Sequence, residues 1–138
     1  KIFHSRSSLK TLNLLPIDSY FTLSIKSWHP YVKTKGVYED GWCTQSCILA
    51  FKITCEMRLT LLVEFPGWQT VKLQKMKVVG KSTTVHDSLI QGTSKIEIDL
   101  FPGDQQVRLN ASETFEMPSP DSRRCALRIL EVEFSQIE

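Results

Sequence analysis

The sequence predicts an all-β domain: an antiparallel β-sandwich of about seven to nine strands, jelly-roll or immunoglobulin-like in its packing. Three observations carry that expectation. Apolar and polar residues alternate over long stretches, most clearly from Cys47 to Phe65, where every odd position is apolar. Turn signals recur between the alternating stretches, at Glu39-Asp40-Gly41, Pro66-Gly67, Gly80, Gln91-Gly92 and Pro102-Gly103. No segment carries a convincing helical stripe.

The elements follow in order. Ser8 to Pro16 reads as a short helical turn, and Tyr20 to Lys26 as a strand with Phe21, Leu23 and Ile25 on one face. Ser27 to Trp42 is a Gly-containing loop rich in aromatic residues. The run from Cys47 to Phe65 is too long for one strand, since it would reach roughly 60 Å at about 3.3 Å per residue. It must bend or fold back near Thr54-Cys55-Glu56, through an odd-length connection that preserves parity. Trp68 to Val79 is strand-like, but Val71 and Leu73 sit on one parity and Met76 and Val78 on the other, which predicts a bulge near Gln74-Lys75. Trp68 itself reads as a core or edge residue at the strand start. Thr83 to Ile90 reads as a second short helical turn. Lys95 to Leu100 and Gln106 to Ala111 are strands joined by the turn Phe101-Pro102-Gly103-Asp104. The last strand, Arg124 to Phe134, is apolar on both parities at first, as befits a central strand covered on both faces.

At 138 residues the chain forms a single domain spanning 1–138, able to bury a core without staples. It begins at Lys1 rather than Met and reads as part of a longer polypeptide or as a processed chain. The net charge is +2, and the 17 Lys and Arg are scattered along the sequence, so no basic stripe speaks for nucleic acid. Lys72, Lys75, Lys77 and Lys81 read as the solvated side of a strand. No apolar run approaches the roughly 20 residues of a membrane span, so membrane insertion is not expected. Cys43, Cys47, Cys55 and Cys125 match no zinc or redox spacing. Three of the four sit in or beside apolar strand patterns, which favours reduced, buried thiols in a cytoplasmic protein.

The search for chemistry yields no enzyme. His4, His29 and His86 stand apart, in no metal-ligand spacing. There is no nucleophile elbow, phosphate loop or dinucleotide fingerprint, and no cofactor or metal is expected. Asp87, Glu97, Asp99 and Asp104 read as the wet faces of strands rather than as a glycosidase pair. The aromatic loop is the exception. Trp28, Tyr31, Tyr38 and Trp42 with Asp40 form a candidate glycan-binding set, because pyranose C–H faces stack on rings while carboxylates accept hydroxyl hydrogen bonds. In the tail, FEMPSPDSRRCALRILEVEF, Asp121 with Arg123 or Arg124 is the candidate structural ion pair. An arginine fork for an anionic sugar or phosphate is the alternative.

The tail resembles a recurring motif, approximately F-x-P-x(n)-D-x-R-x-L-x-V/I-x-L. That motif ends the small accessory β-sandwich domains attached to bacterial glycosyltransferases and other surface-polysaccharide assembly proteins. Gly36-Val37-Tyr38-Glu39-Asp40-Gly41-Trp42 is similar to the G-x-Y-x-D-G-W element that opens those domains. The resemblance spans roughly Trp28 to Phe134, with Cys125-Ala126-Leu127 where the family more often has Leu-Gly-Val. It implies a non-catalytic module of polysaccharide biosynthesis, whose partner is a glycan or a neighbouring glycosyltransferase domain. Rival readings are a structural domain that forms a homo-oligomer through a strand edge, a C2-like lipid adaptor, and a small sandwich-type sugar-processing enzyme.

Overall fold

A computed structural model describes residues 13–24 and 26–137, apart from the side chain of Asp104. The helical turn expected at Ser8 to Pro16 lies largely outside these residues. Its last residue opens a short strand, β1 (Pro16–Ile17), followed by β2 (Phe21–Ser24), β3 (Lys33–Val37), β4 (Trp42–Ile53), β5 (Met57–Phe65) and β6 (Leu73–Val79). The remaining strands are β7 (Thr84–Ile90), β8 (Gly92–Leu100), β9 (Gly103–Ala111), β10 (Phe115–Glu116), β11 (Arg124–Cys125) and β12 (Leu127–Ser135). The described residues contain no helix. The segment list exceeds the expected strand number because three of the segments, β1, β10 and β11, are only 2 residues long.

The strands form an antiparallel β-sandwich. One layer runs β7-β6-β9-β4, with β3 and β1 beside β4; the other runs β8-β5-β12, with β2 beside β12. The layers join at one corner, where β12 pairs with β4 through Leu127 opposite Cys43 and Arg128 opposite Trp42. Phe51 of β4 and Phe134 of β12 meet edge to face across the interior at 5.7 Å. The three-residue link Thr54–Glu56 between β4 and β5 carries the chain from one layer to the other rather than making a hairpin, since β4 pairs with β9 and β5 with β12 and β8. Parity survives the crossing because both strands turn their odd residues into the same core, from Cys47, Leu49 and Phe51 to Leu59, Leu61 and Val63.

Two local expectations are corrected. Thr83 to Ile90 is strand, not helix: Val85 and Leu89, four apart, mimic a helical stripe but belong to the inward parity of an edge strand with Asp87 between them. The bulge at Gln74-Lys75 is absent, and β6 pairs with β7 in unbroken register from Leu73 to Val79. Instead Leu73 faces outward, 44% exposed, and Gln74 occupies the core parity, fully buried. Its amide is satisfied there: Nε2 donates to the carbonyls of Glu113 (2.9 Å) and Ala126 (3.0 Å), and Oε1 accepts from the Glu113 N–H at 2.9 Å. A buried amide with matched partners costs little, whereas an unmatched one would cost about 1–3 kcal/mol.

The cysteines are free thiols; Cys43, Cys47 and Cys125 are buried and Cys55 is half-buried. Burial, together with the neighbouring Cys47, pushes the Cys43 thiol well above its ordinary pKa.

Candidate functional site

The two sequence motifs meet in space. Gly41 sits in the left-handed region at φ 92°, and a Cβ there would run into the carbonyl oxygen of Ile129. Lacking one, Gly41 bonds both ways: its N–H donates to Tyr38 at 2.9 Å, and its carbonyl accepts from the Ile129 N–H at 2.8 Å. Arg128 adds a bond from Nε to the Asp40 carbonyl at 2.8 Å. The aromatic loop is thereby tied to the first turns of β12.

Arg123 completes the tie. Its guanidinium contacts Asp121 at 2.7 Å and Asp40 at 2.9 Å, a fork held by two carboxylates. The Tyr38 ring lies 4.6 Å from the guanidinium carbon, a cation–π contact. Hydrogen bonding to Arg123 holds the Asp40 and Asp121 carboxyls below the usual carboxylate range. The bonds to Asp121, then to Asp40, reciprocally raise the Arg123 pKa. Arg124, its neighbour, takes no part. It donates to the Thr114 hydroxyl (3.2 Å) and carbonyl (3.1 Å) and makes a 3.5 Å ion pair with Glu116.

The structure does not gather the five residues of the aromatic loop into one site. Strand β3 runs between Tyr31 and Tyr38, setting them roughly 20 Å apart at about 3.3 Å per residue. Trp28 is only 3% exposed and belongs to the core. Tyr31 is half-buried, edge-on to Phe21 at 5.3 Å. Tyr38 and Asp40 serve Arg123. Trp42 is buried, with Arg128 5.8 Å from its ring centre on one side and Trp68 on another.

Trp68 faces solvent beside a cavity. It is 51% exposed, and its ring rests on Phe115 at 5.5 Å and on Trp42 at 6.2 Å. Buried Gln69 bridges the loop that carries Trp68: Nε2 donates to the carbonyls of Pro66 (2.7 Å) and Val71 (2.8 Å), and Oε1 accepts from the Val71 N–H at 2.6 Å. Beside Trp68 opens a cleft of about 570 Å³ whose lining includes Thr70, Thr114, Glu116, Pro118 and Arg124. Its floor is the β10–β11 hairpin, with Phe115 opposite Cys125 and Glu116 opposite Arg124. Arg123 follows Pro118 by a short turn, closed by the Met117 N–H to the Arg123 carbonyl at 3.0 Å, so the clamp braces the hairpin that shapes the cleft. The side chains of Arg124 and Glu116 remain 55% and 82% exposed. The cleft thus offers a flat apolar ring, a forked cation, a carboxylate and hydroxyls within one concavity.

Trp68, expected as a core or edge residue at a strand start, instead lies in the turn before β6. The available signal was an aromatic residue set between a Pro-Gly turn and the polar pair Gln69-Thr70, ahead of the alternation. Among the described residues no group of three or more His, Cys, Asp or Glu is placed to hold a metal ion, and no helix is long and apolar enough to cross a membrane.

No protein-family model matches the sequence, and no curated protein matches it. Solved structures do. A family 35 carbohydrate-binding module from Clostridium thermocellum superposes with a TM-score of 0.50 at 9% identity, covering 86% of this chain and 99% of that one. A ruminal GH26 endo-β-1,4-mannanase gives a TM-score of 0.47 at 11% identity over 86% of this chain, which spans 26% of that enzyme's length. A CBM35 from Cellvibrio japonicus gives 0.43 at 16% identity, covering 69% of this chain and 70% of that one. The likeness to the Clostridium thermocellum module is a likeness of fold: the chain has the antiparallel β-sandwich of that module.

Proposed function

We propose that the chain is a non-catalytic glycan-binding module whose site is the cleft beside Trp68. The observation that carries this reading is the half-exposed Trp68 ring, packed edge-on against buried Phe115 and at a tilt against buried Trp42, and flanked by Arg124, Glu116 and Thr70. A pyranose lays its C–H face on such a ring while its hydroxyls exchange hydrogen bonds with the rim. A preset platform spares the ligand the cost of ordering it. The fold, shared with a module named for carbohydrate binding, supports the same reading. The resemblance of the tail to accessory domains of polysaccharide assembly supports it too, with a glycan of biosynthesis as ligand and an attached glycosyltransferase as neighbour.

Calorimetric titration against a panel of bacterial polysaccharides tests the proposal. The wild-type chain should bind at least one, and Trp68→Ala should weaken that binding by about tenfold or more, the worth of one aromatic stacking contact. Undiminished binding by Trp68→Ala would remove the cleft from the site. An absence of binding across the panel at millimolar sugar would favour a structural role.

A further inference from the structure

The register of the strands assembles a basic face that the linear sequence hides. Lys33 and Lys35 of β3 stand opposite Ala50 and Ile48 of β4. Ile48 stands opposite Arg108 of β9, Arg108 opposite Val79 of β6, and Lys77 of β6 opposite His86 of β7. Opposed residues in an antiparallel ladder share a face. The core takes the other parity, with Leu49, Val107, Leu109, Met76 and Val78. Lys33, Lys35, Lys75, Lys77, Arg108 and His86 therefore project from one outer surface, the lysines and His86 exposed and Arg108 half-buried. Lys75 and Lys77 take the solvated side of β6, as expected, and strand pairing sets them beside cations from distant parts of the chain.

Among the described side chains no acidic residue holds an outward position between these cations; Asp104, opposite Lys52, lies at one end of the face. The outer surface of the other layer is different. There Arg58 pairs with Asp99 at 2.9 Å and Arg128 lies 3.9 Å from Glu64, and Glu97, Glu131 and Glu133 outnumber Lys95. A net charge of +2 thus conceals a polarised molecule.

We infer that the outer face of the β3–β4–β9–β6–β7 layer is a second binding surface, and that its ligand is an extended anionic polysaccharide bearing carboxylate or sulfate groups. The cations of β3 and β6 lie three strand spacings apart, about 14 Å at about 4.8 Å each, too far for one small anion to bridge. Ser46, Asn110 and Gln106 lie among them, with Ser46 Oγ donating to Asn110 Oδ1 at 2.9 Å, and supply hydrogen-bond partners for hydroxyls. The outward positions between the cations hold no aromatic residue on which bases would stack, and the flat sheet has no element to enter a groove. Ile48 and Val79 share this face, but Ile48 is buried and Val79 half-buried between their neighbours, so neither stands clear as a membrane wedge; exposed Leu73 and Ile90 pair at the margin. This surface is independent of the Trp68 cleft.

The test uses heparin and polygalacturonate as probes, with neutral dextran as control, in affinity electrophoresis or calorimetry at 50 and 200 mM salt. Both polyanions should bind, dextran should not, and affinity should fall as salt rises, because binding releases counterions. The triple variant Lys75→Gln, Lys77→Gln, Arg108→Gln should lose roughly ten- to a hundredfold in affinity, at roughly two- to fivefold per surface cation. Lys75→Arg with Lys77→Arg should retain wild-type binding, and so should Trp68→Ala. No binding at low salt, or a triple variant that binds like the wild type, overturns the inference. Tighter binding to single- or double-stranded DNA than to either polysaccharide, or to phosphatidylserine vesicles, also overturns it and identifies a different occupant.

Discussion

Arg123 and Arg124 are neighbours in sequence with opposite employment. Arg123 is enclosed: two carboxylates hold its fork, a tyrosine ring covers it, and its side chain is 25% exposed. Arg124 points the other way, 55% exposed, and is met by one threonine and a long ion pair to a solvated glutamate. The difference follows from strand geometry, since consecutive residues of an extended segment project to opposite sides. The arginine inside the recognisable motif secures the scaffold, and the one beside it has hydrogen-bonding capacity to offer a ligand. Motif membership in this chain marks structure, and the candidate site lies one residue away.

The comparison breaks most completely at Trp42, which supports both sides: Arg128 lies over it, and Trp68 and Phe115 pack on it. Trp42→Ala should destabilise the domain by about 3–5 kcal/mol, read as a lower urea midpoint. It should also abolish glycan binding, because Trp68 loses its support. A midpoint within error of wild type would show that the corner between β4 and β12 is not the keystone this packing implies.

The next effect isolates the clamp. Arg123→Ala should lower the melting temperature at pH 7 by about 3 °C, the scale of a modest interaction in a domain of this size. The pH dependence carries the sharper signature. Asp40 and Asp121 have folded pKa values below their unfolded ones. Their contribution is therefore complete above the unfolded aspartate value of about 3.9 and is lost as pH falls through the lowered folded values. Wild type and Arg123→Ala should differ at pH 7 and converge in acid. A difference that stayed undiminished however far the pH fell below the unfolded aspartate value would mean that Arg123 acts through packing on Tyr38 rather than through its carboxylates.

How much of this was legible beforehand depends on the distance over which each feature is encoded. The alternation of Cys47 to Phe65 gave two strands and their shared core, because the period is local and the crossing preserves parity. Gln74 defeated the same reasoning, since only its distant partners, Glu113 and Ala126, make a polar residue acceptable at an inward position. Trp68 and Arg124 carry no common local pattern; a hairpin from the far end of the chain brings them to one cleft. The basic face likewise exists only as register. Trp28 and Tyr31 looked like partners of Tyr38 and Trp42 because loop composition does not reveal that Lys33–Val37 is a strand holding them apart.

The smallest expected change in stability is also the most discriminating. Arg124→Ala removes a largely exposed side chain whose bonds to Thr114 and Glu116 compete with water. Stability should stay within about 0.5 kcal/mol of wild type. Affinity for the glycan that binds the Trp68 cleft should nonetheless fall by about tenfold, as expected for a lost hydrogen bond from a charged donor. Arg123→Ala should show the converse balance, a melting loss with a weaker effect on affinity at temperatures where the fold persists. Equal effects of the two substitutions on both measurements would dissolve the division between clamp and cleft. Affinity indifferent to Arg124 would leave Trp68 as a hydrophobic platform with no charged partner at its rim.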